Sequence, residues 1–201
     1  MKFFKIVLFI ISSCMFLQCF SRVDEQRVYG SEITDSERFA LEFPLVGIDN
    51  IFVFRNASET ADILANGRGI VFMGFKECPW CQPFAVFLHE VAVEMGIEQI
   101  YYLDIREDRQ NNTESYQRIL NILTGRLRYD DEGRPRVFVP DLSIVSRGRI
   151  ILRDFGASED AFRYNSPEEY WTEERVYALK VRLRAGICIL NQITRRACAV
   201  C

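Results

Sequence analysis

A single histidine, His89, stands among the 201 residues, so catalysis or metal binding built on several imidazoles is excluded. Positive charge is not in surplus either: 25 Lys and Arg against 28 Asp and Glu leave a net charge of −3. That balance offers nothing to a polyanion, and no nucleic-acid partner is expected. Internal repeats and low-complexity tracts are also missing. What remains is ordinary folded-domain material, 49% hydrophobic, 26% charged and 13% aromatic, long enough for one sizeable core. Sulfur breaks the pattern, with seven cysteines at 14, 19, 78, 81, 188, 198 and 201.

Residues 1–21 read as an export or anchor segment. Lys2 and Lys5 precede an apolar run, 6–20, too short for a comfortable span of about 20 residues. Three readings stay open. Cleavage after Ser21 fits the small Cys19 and Ser21; Ile11-Ser12-Ser13-Cys14 resembles a bacterial lipoprotein box with Cys14 lipidated; and the run can be retained as a membrane anchor. Each puts the rest of the chain outside the cytoplasm, secreted or anchored to the cell membrane, where disulfides persist.

Residues 22–48 are polar without sustained periodicity and read as a linker to a domain at 49–194. Apolar runs at 51–54, 69–74 and 99–105 predict strands. Between them, Ser58 reads as a cap for a helix ended by Gly67, and Phe84, Phe87, Leu88, Val91 and Met95 fall at helical spacing. Thr113 starts a further helix after the charged stretch 106–112, and 126–136 is a polar loop. A fourth strand from Val137 to Val145 turns at Arg147-Gly148 into a hairpin. Ser166-Pro167 and Thr172 are helix starts, the second for a long C-terminal helix striped by Val176, Leu179, Leu183, Ile187 and Leu190. This alternation gives an α/β fold with a mixed or parallel central sheet flanked by helices.

The chemistry concentrates at Cys78-Pro79-Trp80-Cys81, between an apolar strand and an amphipathic helix. At a helix N-terminus, free N–H groups and the positive end of the dipole favour a Cys78 thiolate. Cys81, one turn on, is placed to attack a mixed disulfide formed at Cys78. Lys76 supports that thiolate and Glu77 opposes it, so their effects partly cancel. A zinc half-site would need a second ligand pair at finger spacing, and the sequence has none. No cofactor is called for.

The element order around this motif resembles the thioredoxin fold. A second signature is Val139-Pro140, a proline at the entry to a hairpin strand, with Pro135 a more distant competitor. The resemblance implies that Pro140 is a cis-proline facing the cysteine pair, and that Val139 offers backbone groups to an extended substrate. The stretches 74–81 and 137–141 are similar to secreted thioredoxin-like proteins of Gram-positive bacteria, some of them bacteriocin accessory or maturation proteins. The family therefore implies thiol–disulfide exchange with exported thiol- or disulfide-containing proteins, and a redox partner at the membrane. Trp80 is expected beside the sulfurs as a docking surface. Two departures stand out: Phe72 takes the place of the family's buried aspartate, and 106–136 is enlarged where it can rim the substrate groove.

A non-enzymatic client- or metal-binding protein of the same fold is the alternative, separated by whether the pair exchanges with small dithiols. The redox direction stays open, since proteins of this fold span about −270 to −120 mV. Cys198 and Cys201 form a second Cys-x-x-Cys in a tail at 195–201, open to a small disulfide, a resolving pair or plain tail thiols. Cys188 is expected as a small buried residue of the last helix, and His89 as a surface or boundary residue. The charges at 106–109 and 172–175 read as solvated faces.

Overall fold

The computed structural model describes residues 33–157, 161 and 163–198, with side chains on the last helix through 193. Cys14, the rest of the 1–21 segment and Cys201 lie outside the described residues, as does the side chain of Cys198. All the elements below belong to the unit that begins at Asp35.

The first element differs from the linker expected over 22–48. Helix α1, Asp35–Glu42, buries Phe39, and Phe43 follows one turn later on the same face. The Phe39 ring stacks on Phe52 at 3.8 Å and on Phe43 at 4.4 Å, and meets Tyr102 edge-on at 5.0 Å. Two large rings anchor a helix whose other positions are mostly polar, which is why no periodicity announced it.

Strand β1 (Phe52–Phe54), helix α2 (Ala57–Asn66), strand β2 (Arg68–Gly74), helix α3 (Cys81–Glu94) and strand β3 (Ile100–Asp104) then alternate. The cap of α2 is Asn56 and not Ser58. Asn56 accepts from the Glu59 N–H while Glu59 accepts from the Asn56 N–H, a reciprocal box that starts the helix earlier than a Ser58 cap would. Beyond β3 the charged stretch is itself a helix, α4 (Arg106–Asn111), closed by Asn112 in the left-handed region. Thr113 then caps α5 (Glu114–Ile122) as expected.

The loop at 126–136 contains a short antiparallel hairpin, β4 (Arg128–Tyr129) and β5 (Pro135–Arg136). Strand β6 covers Asp141–Ser146 and so begins four residues after Val137, because Pro140 has no N–H to give a ladder. At the next turn Gly148 has φ of 72°, and a Cβ there would come within 2.1 Å of the Ala65 carbonyl, so glycine is required. Strand β7 (Arg149–Asp154), helix α6 (Pro167–Tyr170) and helix α7 (Glu173–Cys198) complete the unit, α7 running past the expected domain end at 194.

The five main strands lie in the order β1-β3-β2-β6-β7. Pairs β1–β3 and β2–β3 are parallel, whereas β2–β6 and β6–β7 are antiparallel. The fold is thus α/β, a mixed central sheet flanked by helices, with a long C-terminal helix. Alternation along β2 feeds both faces. Ile70 and Phe72 join the core with α3 and α7, while Val71 and Met73 join the core with α2 and α5.

Cys188 corrects an expectation. It is exposed, beside Ile187, which is buried with Leu179, Leu183 and Leu190. One residue is a 100° step around a helix, enough to carry Cys188 off the buried stripe. No helix among the described residues is long and apolar enough to cross a membrane.

The sheet also decides where the site falls. Parallel β2 and β3 end side by side, Gly74 opposite Asp104, and the antiparallel β6 starts opposite Met73. The segments after β2, after β3 and before β6 therefore converge at one end of the sheet.

Candidate active site

Cys78 lies in the turn that joins β2 to α3. Its N–H donates to the Phe75 carbonyl at 3.1 Å, and its own carbonyl accepts from the Cys81 N–H at 3.0 Å. Helix α3 begins at Cys81, so Cys78 sits just ahead of the helix rather than within its first turn. The Cys81 N–H also lies 3.2 Å from Cys78 Sγ, which aims a helix-end donor at the sulfur. Both cysteines are free, Cys78 nearly buried and Cys81 completely so.

The two thiols are driven apart in acidity. The Cys81 side-chain hydrogen bond holds the Cys78 thiol below its ordinary range, helped by backbone N–H groups and the Arg109 charge, against an opposing effect of burial. Burial pushes the Cys81 thiol far up, and its hydrogen bond to Cys78 and the charge on Cys78 add to this. One proton shared between the sulfurs therefore resides on Cys81, leaving Cys78 the more acidic thiol.

Val139 and Pro140 complete the constellation. The Val139 carbonyl oxygen is 4.0 Å from Cys78 Sγ, and the Val139–Pro140 peptide is cis. Pro135, the competing proline, opens β5 in the small hairpin instead. Trp80 is half-buried, its ring in T-shaped contact with Tyr170 of α6 at 5.4 Å. Phe72 is fully buried and brings no carboxylate to the pair. Tyr102 feels the Cys81 charge, and its hydroxyl donates to Glu42 at 3.5 Å.

Four supporting features were not read from the sequence. Gly74 is one: a Cβ there would lie 3.2 Å from Cys81 Sγ and 2.9 Å from the Phe72 ring. Gly156, with φ of 70°, presses on the other side, where a Cβ would come within 2.7 Å of the Pro140 ring. Next to Pro140, Asp141 is fully buried and paired with Arg153 across the β6–β7 hairpin. Burial raises its carboxyl despite the arginine.

Arg109 is the fourth and the most consequential. Its guanidinium donates to the Val137 carbonyl at 3.2 Å, stacks 5.5 Å from the Phe75 ring centroid, and acts on both sulfurs. The 106–109 charges are therefore not a uniformly solvated face. A usable signal existed: Arg109 follows the buried Ile105 by one helical turn, and that spacing carries it toward the sheet.

His89 is half-buried near Phe52, its Nε2 buried without a hydrogen-bond partner. Burial lowers its pKa, which keeps the ring neutral. Among the described residues no three His, Cys, Asp or Glu side chains cluster as a metal site. Comparison with protein-family models, with curated proteins and with solved structures finds no match to this chain.

Proposed function

We propose that the protein is a thiol–disulfide oxidoreductase of the thioredoxin type, acting outside the cytoplasm on exported proteins. The observation that carries this is the asymmetric free pair: Cys78 accepts the Cys81 N–H at 3.2 Å and faces the Val139 carbonyl at 4.0 Å. The strand order β1-β3-β2-β6-β7 and the cis bond before Pro140 support the same family. The charged and apolar N-terminus supports export.

In this reading the Cys78 thiolate attacks one sulfur of a client disulfide and expels the other as a thiolate, which takes up a proton. Cys81 loses its proton and attacks Cys78 Sγ, which breaks the mixed disulfide and releases the second client thiolate. Two electrons pass to the client, and the pair is left as a disulfide that a redox partner at the membrane reduces. Oxidation of a client is the same path in reverse. Val139 and Pro140 hold the client strand, and the open side of Trp80 docks beside it. Insulin reduction with a dithiol as electron source tests the assignment. Cys78→Ser is expected to abolish turnover, and undiminished turnover refutes it.

A further inference from the structure

Helices α4 and α5 and the β4–β5 hairpin line a cavity of about 700 Å³ whose walls carry Arg106, Arg109, Arg134 and Arg136. Asp130 is the one acidic residue among the lining residues described. Two of the arginines are already neutralised, Arg106 by Glu77 and Asp104, and Arg134 by Asp130 and Glu132. Arg109 and Arg136 have no carboxylate partner among the described residues. Arg109 gives one N–H to the Val137 carbonyl, and the Arg136 Nε is buried with no hydrogen-bond partner at all. Both are half-buried, and burial together with the nearby Arg136 charge weakens protonation of Arg109.

Two like charges withdrawn from water around one cavity are costly unless an anion joins them. A carboxylate is the fitting anion, since it accepts parallel N–H bonds from a guanidinium fork. The place of the cavity says where that carboxylate comes from. Arg109 holds Val137, two residues before Val139, whose carbonyl faces Cys78 Sγ. Two residues of extended chain cover roughly 7 Å.

We propose that this cavity receives acidic side chains of the client polypeptide within a few residues of the cysteine being exchanged. The proposal rests on the exchange reading and narrows its substrates to acidic-flanked cysteines. It also gives the enlarged 106–136 region a purpose, because that region supplies all four arginines.

The test uses short peptides with one cysteine, held as a mixed disulfide with a chromogenic thiol and flanked by either glutamates or glutamines. With the reduced full chain in excess at low salt, the second-order rate constant for release of the chromogenic thiol is expected to be about tenfold higher for the glutamate peptide, and added salt should erase the difference. Arg136→Gln should bring the ratio close to one, and Arg136→Lys should retain part of it. Serine-for-cysteine peptides, followed by fluorescence anisotropy, read the cavity without any exchange. Equal rates for the two peptides overturn the proposal and leave the exchange reading standing. Arg136-dependent binding of the acidic serine peptide with no exchange of any peptide upholds the cavity and refutes the exchange reading. If oxidised glutathione shows the Arg136 dependence and the peptides do not, the occupant is a small carboxylate thiol and the proposal fails.

Discussion

Replacing Cys81 by alanine isolates the interaction that makes Cys78 acidic. The backbone N–H at 3.2 Å from Cys78 Sγ survives the change, and only the side-chain donor is removed. A hydrogen bond to a charged acceptor contributes about 1.5–3 kcal/mol, and a thiol, as a weak donor, belongs at the lower end. About 1.5 kcal/mol corresponds to roughly one pKa unit, so the Cys78 midpoint should rise by about one. The assay is the rate of alkylation of Cys78 against pH, followed on the peptide that carries it, because Cys81 has no exposed surface while the exposed Cys188 reacts as well. Cys81→Ser supplies a hydroxyl donor and should return the midpoint toward the parent value. Stability carries the same sign. A depressed thiol pKa stabilises the reduced fold above the unfolded value and loses this as pH falls through the folded one. The stability gap between parent and Cys81→Ala should therefore widen as pH rises toward about 8. An unchanged midpoint in Cys81→Ala, or serine and alanine variants that titrate alike, refutes the proton-sharing account.

Gly156→Ala should lower stability by about 2–5 kcal/mol in urea unfolding, from a left-handed backbone penalty plus overpacking against Pro140 and Phe84. It should slow exchange as well, since the strain falls on the loop that faces Cys78. Burial, the largest influence on Glu42, holds its carboxyl above the ordinary range, so the fold loses stability as pH rises from about 4.5 through that raised value. Glu42→Gln should thus unfold at a higher urea concentration than the parent at pH 7, with little difference at pH 4; equal midpoints at pH 7 would contradict it.

The parts of the fold legible in the sequence are those where one local rule acts without competition. Residues 69–74 read as a strand because all six are apolar or glycine and both faces of β2 are covered. Thr113 and Ser166 announced their helices because a hydroxyl ahead of an acidic first turn has few other uses. The Asn56-to-Glu59 spacing was equally visible, but Ser58 stood between them and offered a rival cap. Helix α1 escaped because its evidence is long-range. Phe39 and Phe43 make sense only against Phe52 and Tyr102, which arrive later in the chain. The cysteine pair and Pro140 were legible as motifs, and the spacing of Arg109 from Ile105 was a weaker signal, whereas Gly156 and the Asp141–Arg153 pair serve the site through packing that no spacing rule encodes.

The buried Phe72 raises the question of how Cys81 loses its proton during the exchange we propose. In the free dithiol three influences keep that proton on: burial, the hydrogen bond to Cys78 and the negative charge of Cys78. Once Cys78 is linked to a client sulfur it carries no charge, and its sulfur is a poor acceptor. Two of the three influences then vanish, and only burial remains. The nearby Arg109 charge, which favours a thiolate on either sulfur, is no longer shared with an anionic Cys78 and acts on Cys81 alone. Attack at Cys78 thus prepares Cys81 for the second step without a buried carboxylate at position 72. The same arginine donates to the Val137 carbonyl, two residues before Val139, so in the proposed exchange client binding and resolution draw on one side chain.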